Sequence, residues 1–346
     1  EQFYSTHEAA PGEAGGPPAT LEDARRGTAQ GHGGFLLPPE PVIRAPEPIA
    51  RLRVTDFRQL LADPFGFALQ RILRLERLDD AARELDGLGF GSLAHDVLEQ
   101  FARSTAVHAP DEAVVRRQLD SILQVAARER FGEHALPAVR IQIEQLRTRL
   151  HAFAAWHARW IADGWRVVGV ECSTPPDGVP FLVDGEPIGL SGRIDRVDYH
   201  PERRSWALFD YKTGDRGDGP KDTHRSGTRE PRAWADLQLP LYRHILPHLP
   251  ILAEGGIAGD PGGGELRLGY ITLPRDLSQT GARFAEWSTA ELEEADECAR
   301  EVVRLLRRNE FEFDPRALRN YQRSPLAGLV GIGYLESAEG TEEGGA

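Results

Sequence analysis

The stretch GRIDRVDYHPERRSWALFDYKTG, residues 192–214, carries the signal that decides the fold. Two runs rich in β-branched and aromatic residues, IGLSGRIDRVDYH (188–200) and SWALFDYK (205–212), flank a polar PERR turn at 201–204. That pattern predicts two antiparallel strands joined as a hairpin. Antiparallel pairing brings Asp195, in GRIDRVD, beside Asp210, fifteen residues later. Asp210 and Lys212 are two apart, so their side chains share one face of the strand. Two carboxylates and an ammonium then converge. Carboxylate oxygens suit magnesium or manganese. A lysine beside them can stabilise developing negative charge or hold a water. Metal, water and cation together meet the needs of phosphodiester hydrolysis. Taken singly, a D-x-K pair on a strand is most often a surface ion pair, and Asp198 and Asp215 are read as nearby surface acids.

Upstream of the hairpin, WRVVGVEC (165–172) and VPFLVD (179–184) read as strands, preceded by two long helices at 110–130 and 136–163. FGSLAHDVLEQFARS places Phe90, Leu93, Ala94, Val97, Leu98 and Phe101 at helical spacing, with His95 one step from that stripe. Thr55 is positioned to cap a short helix, and Pro64 to start a second one reaching about Leu75. Downstream, a Gly-rich polar loop at 213–231 precedes a helix at about 232–247, a strand at 265–273 and an amphipathic helix at about 288–308. Helix, three strands, helix and strand, with added N-terminal helices, make an α/β (α+β) domain around a central mixed β-sheet flanked by helices.

The 346 residues carry a formal net charge of −13, unevenly spread. Residues 1–50 hold seven acids against three Arg, and the tail from Glu336 holds four Glu, so the middle can still present a basic groove. With eight Pro and seven Gly, residues 1–50 read as a linker or arm and suggest a further segment upstream; 336–346 reads as an acidic disordered tail. No apolar run reaches the roughly 18–20 residues that span a bilayer, and EQFYSTHEAA lacks the blocks of a signal peptide. Cys172 and Cys298 cannot build a disulfide framework or a four-thiolate cluster, so a reducing, cytoplasmic setting is expected. Methionine is absent. Of 41 basic residues only Lys212 and Lys221 are lysine, and a lysine retained where arginine is used nearly everywhere poses a chemical question.

His95 is either a packed helix residue or a metal ligand through a neutral imidazole nitrogen. Asp96 and Glu99 on the same helix are read as solvated acids. Gln238 and Tyr242, in DLQLPLYRHI, lie one helical turn apart and project together. They are either a helix-surface pair or groups that orient a nucleophile or a DNA backbone. Arg216, Lys221, His224, Arg225 and Arg229 crowd the 213–231 loop, either solvated or clamping phosphate oxygens. Trp234 could stack on a base or pack against the next helix.

Taken in order, GSLAH, GRIDRVD, DYKTG and QLPLY resemble the RecB-like branch of the PD-(D/E)XK nuclease superfamily. LRVTDFRQLLADPFGFALQRILRLE resembles the start of those domains. The resemblance covers roughly residues 52–330 and is strongest to the nuclease domains that end AddB-like helicase–nuclease subunits. It implies a restriction-endonuclease-like core within a domain at 51–335. His95, Asp195, Asp210 and the backbone carbonyl of Tyr211 would hold Mg2+ (or Mn2+). Lys212 would be the catalytic lysine, Gln238 and Tyr242 would flank the scissile phosphate, and Glu171 would be a supporting acid. DNA is the implied partner, contacted by Arg216, Lys221, Arg225 and Arg229. A helicase subunit or an upstream helicase-like domain is expected alongside, in a nucleoid-associated cytoplasmic setting.

The chain also departs from that pattern. Ile194-Asp195 stands for the "PD" pair. Asp63, in ADPFGF, occupies a position where many AddB-like relatives carry a cluster cysteine, and YQRSPLAGLVGIGY has none, so no iron–sulfur cluster is expected. No GxxxxGK[ST] phosphate loop occurs, so ATP hydrolysis is not expected of this chain. The implied activity is a metal-dependent exodeoxyribonuclease acting on DNA ends or single strands in recombination and double-strand break repair. The alternatives are a CRISPR-adaptation-type or free-standing nuclease and a catalytically silent DNA-binding or scaffold module. The full set His95, Asp195, Asp210 and Lys212 argues against silence. A G-x-S-x-G elbow and an HExxH motif are both missing.

Overall fold

SWALFDYK alternates between two hydrophobic cores. In the computed structural model, which describes residues 42–75, 87–227, 232–251 and 264–312, this stretch is a strand buried on both faces. Trp206 and Leu208 enter one core, while Ala207, Phe209 and Tyr211 enter the other.

The strands are β1 (Val42–Ile43), β2 (Arg51–Arg53), β3 (Arg166–Ser173), β4 (Val179–Val183), β5 (Glu186–Ser191), β6 (Arg193–His200), β7 (Ser205–Lys212), β8 (Arg225–Ser226), β9 (Ala233–Trp234), β10 (Leu266–Thr272), β11 (Gly281–Phe284) and β12 (Phe311–Glu312). The helices are α1 (Asp56–Ala62), α2 (Pro64–Phe67), α3 (Gly87–Ala102), α4 (Glu112–Phe131), α5 (Pro137–Ala162), α6 (Pro220–Thr223), α7 (Gln238–Ile245) and α8 (Thr289–Arg308). The central sheet has the order β11-β10-β7-β6-β3. β6 is antiparallel to both β3 and β7, β10 is parallel to β7, and β11 is antiparallel to β10. The expected mixed sheet is therefore present. Helices α3, α4 and α5 cover one face and α1, α7 and α8 the other.

Local chemistry sets the helix ends. Asp63 accepts from Gly66 N at the start of α2, and Asp111 accepts from Ala113 N at the start of α4. Ser288 and Glu291 form a reciprocal capping box on α8, which Asn309 closes in a left-handed conformation. Thr55 precedes α1 but makes no side-chain cap; Asp56 instead accepts from Arg53 N.

The run at 188–200 is two strands, not one. β5 belongs to a three-stranded sheet of order β2-β5-β4, and the chain crosses to the central sheet at Gly192. A Cβ on Gly192 would meet Val54 Cγ2 at 2.9 Å, so close packing enforces glycine at the crossing. The helix expected from 232 starts at Gln238, because 233–234 pairs with 225–226 as a small hairpin. Strand β11 was not expected; its GARF sequence has no alternating pattern to announce it. The Pro/Gly-rich arm expected over 1–50 ends in ordered structure: β1 pairs with β12, and Asn309 brackets Ala45. The rest of that arm, residues 1–41, and the expected tail at 336–346 lie outside the described residues. Among the described residues, no helix is long and apolar enough to cross a membrane.

Asp198, expected on the surface, is fully buried, as is Arg196. The Arg196 guanidinium donates to both carboxylate oxygens at 2.8 Å, and Trp160 Nε1 donates to the same carboxylate at 2.7 Å. His157 completes the cluster. Its Nε2 donates to the Val107 carbonyl, leaving Nδ1 to accept from Arg196. Burial and the Arg196 charge hold its pKa well below the usual range, so the ring is neutral. Removing one member of a buried pair strands the other charge. Asp198→Ala should therefore destabilise the fold by about 3–5 kcal/mol. Urea denaturation checks this, and a loss of under about 1 kcal/mol would contradict it.

Candidate active site

The register Arg196↔Phe209 between β6 and β7, carried one step further, sets Asp195 opposite Asp210. The ladder opens at this point. Tyr211 N donates to Asp195 Oδ2 at 2.8 Å, so a side chain takes the place of the next strand partner. On the other side of β6, β3 pairs through Val170↔Arg196 and Cys172↔Ile194, which places Glu171 level with Asp195. Glu171 has φ +50°, a left-handed conformation rare for a non-glycine residue in a strand. Such strain persists only where the surrounding structure imposes it, and it is typical of functional positions.

His95 reaches the same place from α3. Its Nε2 lies 3.2 Å from the Tyr211 carbonyl and its Nδ1 lies 3.5 Å from Asp195 Oδ2. A carbonyl only accepts, so Nε2 carries the proton. Burial lowers the pKa of His95, against the opposing pull of Asp210, which favours the neutral ring. Its Nδ1 lone pair then faces carboxylate oxygens. Donor atoms of His95, Glu171 and Asp195 all lie within 4.8 Å of one another.

Burial and the neighbouring Asp210 hold the Asp195 carboxyl well above its usual range, and burial also raises that of Glu171. Arg193 Nε lies 2.5 Å from Glu171 Oε2, and Lys212 Nζ lies 2.7 Å from Asp210 Oδ2. Both cations approach as charges, since neither oxygen receives an aligned hydrogen bond among the described residues. Under-satisfied buried oxygens beside an unprotonated imidazole nitrogen are the donor set that fits a divalent cation. His95, Glu171 and Asp195 are placed to hold one, with Asp210 adjoining.

Gln238 and Tyr242 meet as their spacing predicts. Gln238 Nε2 donates to Asp210 Oδ1 at 2.6 Å and lies 2.7 Å from the Tyr242 hydroxyl, which donates to the Arg193 carbonyl. Tyr242 is fully buried, and burial raises its pKa, so it stays a phenol. Among the described residues its hydroxyl joins Gln238 to the Arg193 carbonyl, a supporting place beneath the carboxylates.

The basic loop divides. Arg216 and Lys221 are exposed. Arg225 is buried instead: it stacks 3.7 Å over the Trp234 ring and pairs with Glu294 at 3.1 Å. That engagement buries Arg225, which was expected among the phosphate contacts, and gives Trp234 the packed place that was one of its two readings. His224 is buried too, bonded to the Asp236 carbonyl. Arg229 lies outside the described residues. Asp96 and Glu99 pair with Arg130 and Arg103, and Asp215 with Arg149. Sequence reasoning missed Arg193, which neutralises Glu171; its only sequence signal is its place beside Asp195 in GRIDRVD.

The raised pKa of Asp195 has a definite sign. The folded, metal-free protein holds this proton more tightly than the unfolded chain. Stability is therefore lost as pH rises from the unfolded carboxyl's range through the folded one. Asp195→Asn should melt higher than wild type in EDTA, by a margin that grows with pH. Added divalent metal should then stabilise wild type more than the variant. Calorimetric melts across pH, with and without metal, check this; a margin that shrinks as pH rises would contradict it.

A family model of the PD-(D/E)XK nuclease superfamily matches residues 51–321. No curated protein matches the chain. The helix-flanked mixed sheet is consistent with the restriction-endonuclease-like arrangement of that superfamily, whose nucleases use divalent metals. Because the match spans most of the chain and includes the acidic hairpin, the chain belongs to the PD-(D/E)XK nuclease superfamily.

Proposed function

We propose that this chain is a Mg2+- or Mn2+-dependent deoxyribonuclease. It degrades DNA exonucleolytically, from ends or along single strands, in recombination and double-strand break repair. The observation that carries the reading is the convergence of His95, Glu171 and Asp195 donor atoms within 4.8 Å, beside Asp210 and Lys212.

When bound, the metal ion supplies Lewis acidity and a water of lowered pKa. His95 Nδ1, Glu171 and Asp195 would hold it, with Asp210 adding a carboxylate. The Tyr211 carbonyl, which accepts from His95 in this geometry, fixes the ring and retains a second lone pair. Lys212 stands two residues past Asp210 with its side chain 40% exposed, so its ammonium can meet a phosphate oxygen or orient the attacking water. Gln238 holds the Asp210 carboxylate in place from behind. Arg216 and Lys221, exposed on the segment after Lys212, supply phosphate contacts that are insensitive to base sequence. The RecB-like and AddB-like likeness of the motifs supports work beside a helicase subunit or a helicase-like domain.

End-labelled single- and double-stranded linear DNA and a covalently closed circle, incubated with magnesium, manganese or EDTA, test this. Metal-dependent loss of the linear DNA alone is expected. Lys212→Ala should cut cleavage by at least about a hundredfold while DNA is still bound. Asp210→Asn should weaken metal binding by titration calorimetry. Cutting of the circle would overturn exonucleolytic action. Full activity in Lys212→Ala would overturn the site, and DNA binding without cleavage would favour a silent module.

A further inference from the structure

The two oxygens of Asp210 are the ends of one closed circuit of contacts. Oδ1 accepts from Gln238 Nε2 at 2.6 Å. The backbone N of Gln238 donates to Asp236 Oδ1 at 2.9 Å, and the Asp236 carbonyl lies 2.7 Å from His224 Nδ1. His224 Nε2 lies 2.7 Å from the Tyr270 hydroxyl. The Tyr270 ring lies under the Lys212 ammonium, 4.9 Å from its centroid, and Lys212 Nζ returns to Asp210 Oδ2 at 2.7 Å. In the sheet, Tyr270 is the register partner of Asp210, so β10 sets the ring beside the carboxylate by pairing alone.

The direction of each bond follows from its atoms. The Asp236 carbonyl only accepts, so His224 Nδ1 carries the proton. His224 is fully buried, with its ring also edge-on to Trp287 at 5.2 Å. The neutral ring then accepts at Nε2 from the Tyr270 hydroxyl, which leaves that oxygen to accept from Thr223 Oγ1 at 3.0 Å. The ring carrying that hydroxyl offers its π face to Lys212, a contact that fixes an ammonium without neutralising it.

We infer that Tyr270 and His224 are positioning residues. The chain from Asp236 through His224 to the Tyr270 ring aims Lys212 at Asp210, while Asp236 also sets the helix start that carries Gln238. None of Tyr270, His224 and Asp236 reaches the substrate; each acts through Lys212 or Gln238. The inference rests on the proposed nuclease reading only for its kinetic consequence, since the placement of Lys212 can be measured without DNA.

With only two lysines, the chain carries its own control. Trace acetylation of the full-length, metal-free protein, read by peptide mass spectrometry, gives the labelling of Lys212 relative to Lys221. Tyr270→Leu should raise that ratio about threefold or more by freeing the ammonium, and Tyr270→Phe, which keeps the ring but loses the hydroxyl bonded to His224, should raise it less. His224→Gln, which breaks the same bond from the other side, should fall between wild type and Tyr270→Leu and serves if Tyr270→Leu does not fold. An unchanged ratio in both Tyr270→Leu and His224→Gln overturns the inference. On linear DNA with Mn2+, Tyr270→Leu should lower kcat about tenfold with KM little changed, and Tyr270→Phe should recover only part of the rate. A loss confined to KM also overturns it. If wild type does not cleave, or Lys212→Ala cleaves equally well, the nuclease reading fails and the labelling ratio alone decides the circuit.

Discussion

Two carboxylates face each other across a hairpin, each less than a tenth exposed. Unscreened like charges at that depth are unfavourable, and much of the surrounding structure offsets them. Tyr211 N donates to Asp195, Gln238 donates to Asp210, and Lys212 supplies the opposite charge. Arg193 does the same for Glu171, the third acid. What these partners leave is a set of oxygens that still lack aligned donors and an imidazole lone pair directed among them. A divalent cation would satisfy such a group without the proton that the raised pKa of Asp195 otherwise retains, so the electrostatics of the site agree with the metal use of its family.

The carboxylates stay in register because the sheet is locked on both sides. On the face covered by α3, α4 and α5, Arg196 and Asp198 are tied to Trp160 and His157, and Trp160 stacks on Trp165 at 4.4 Å. That cluster starts one residue past Asp195, so it holds β6 against twisting just where the ladder opens. Arg149, from α5, donates to the carbonyls of Thr213 and Leu273 and pairs with Asp215 at 2.6 Å. It thereby binds together the chain segments leaving β7 and β10, immediately past Lys212. On the opposite face, α7 and β10 bring the Gln238 amide and the Tyr270 ring to the two sides of Asp210.

Much of this was legible in the residues. The aromatic and apolar run SWALFDYK, the PERR turn and the D-x-K spacing specify a hairpin that sets two acids and a lysine together, because strand geometry leaves few alternatives. The four-residue spacing of Gln238 and Tyr242 likewise determines that they meet. Less was legible where long-range packing overrides local pattern. Gly192 splits one apolar run between two sheets because Val54 leaves no room for a Cβ. Arg225 and His224 look like solvated loop residues, and Asp198 like a surface acid, since each also has a partner more than thirty residues away that no local pattern announces.

The sequence by itself determined the hairpin, its acids and its lysine, through periodicities that act over a few residues. The tertiary structure alone decided which acids join His95 in one cluster, that Tyr242 supports from beneath, and that Tyr270 underlies Lys212. Those relations depend on β3, β10 and α3 arriving from distant parts of the chain. The energy that sets them, desolvation of charges against each other, has no local signature in the order of the residues.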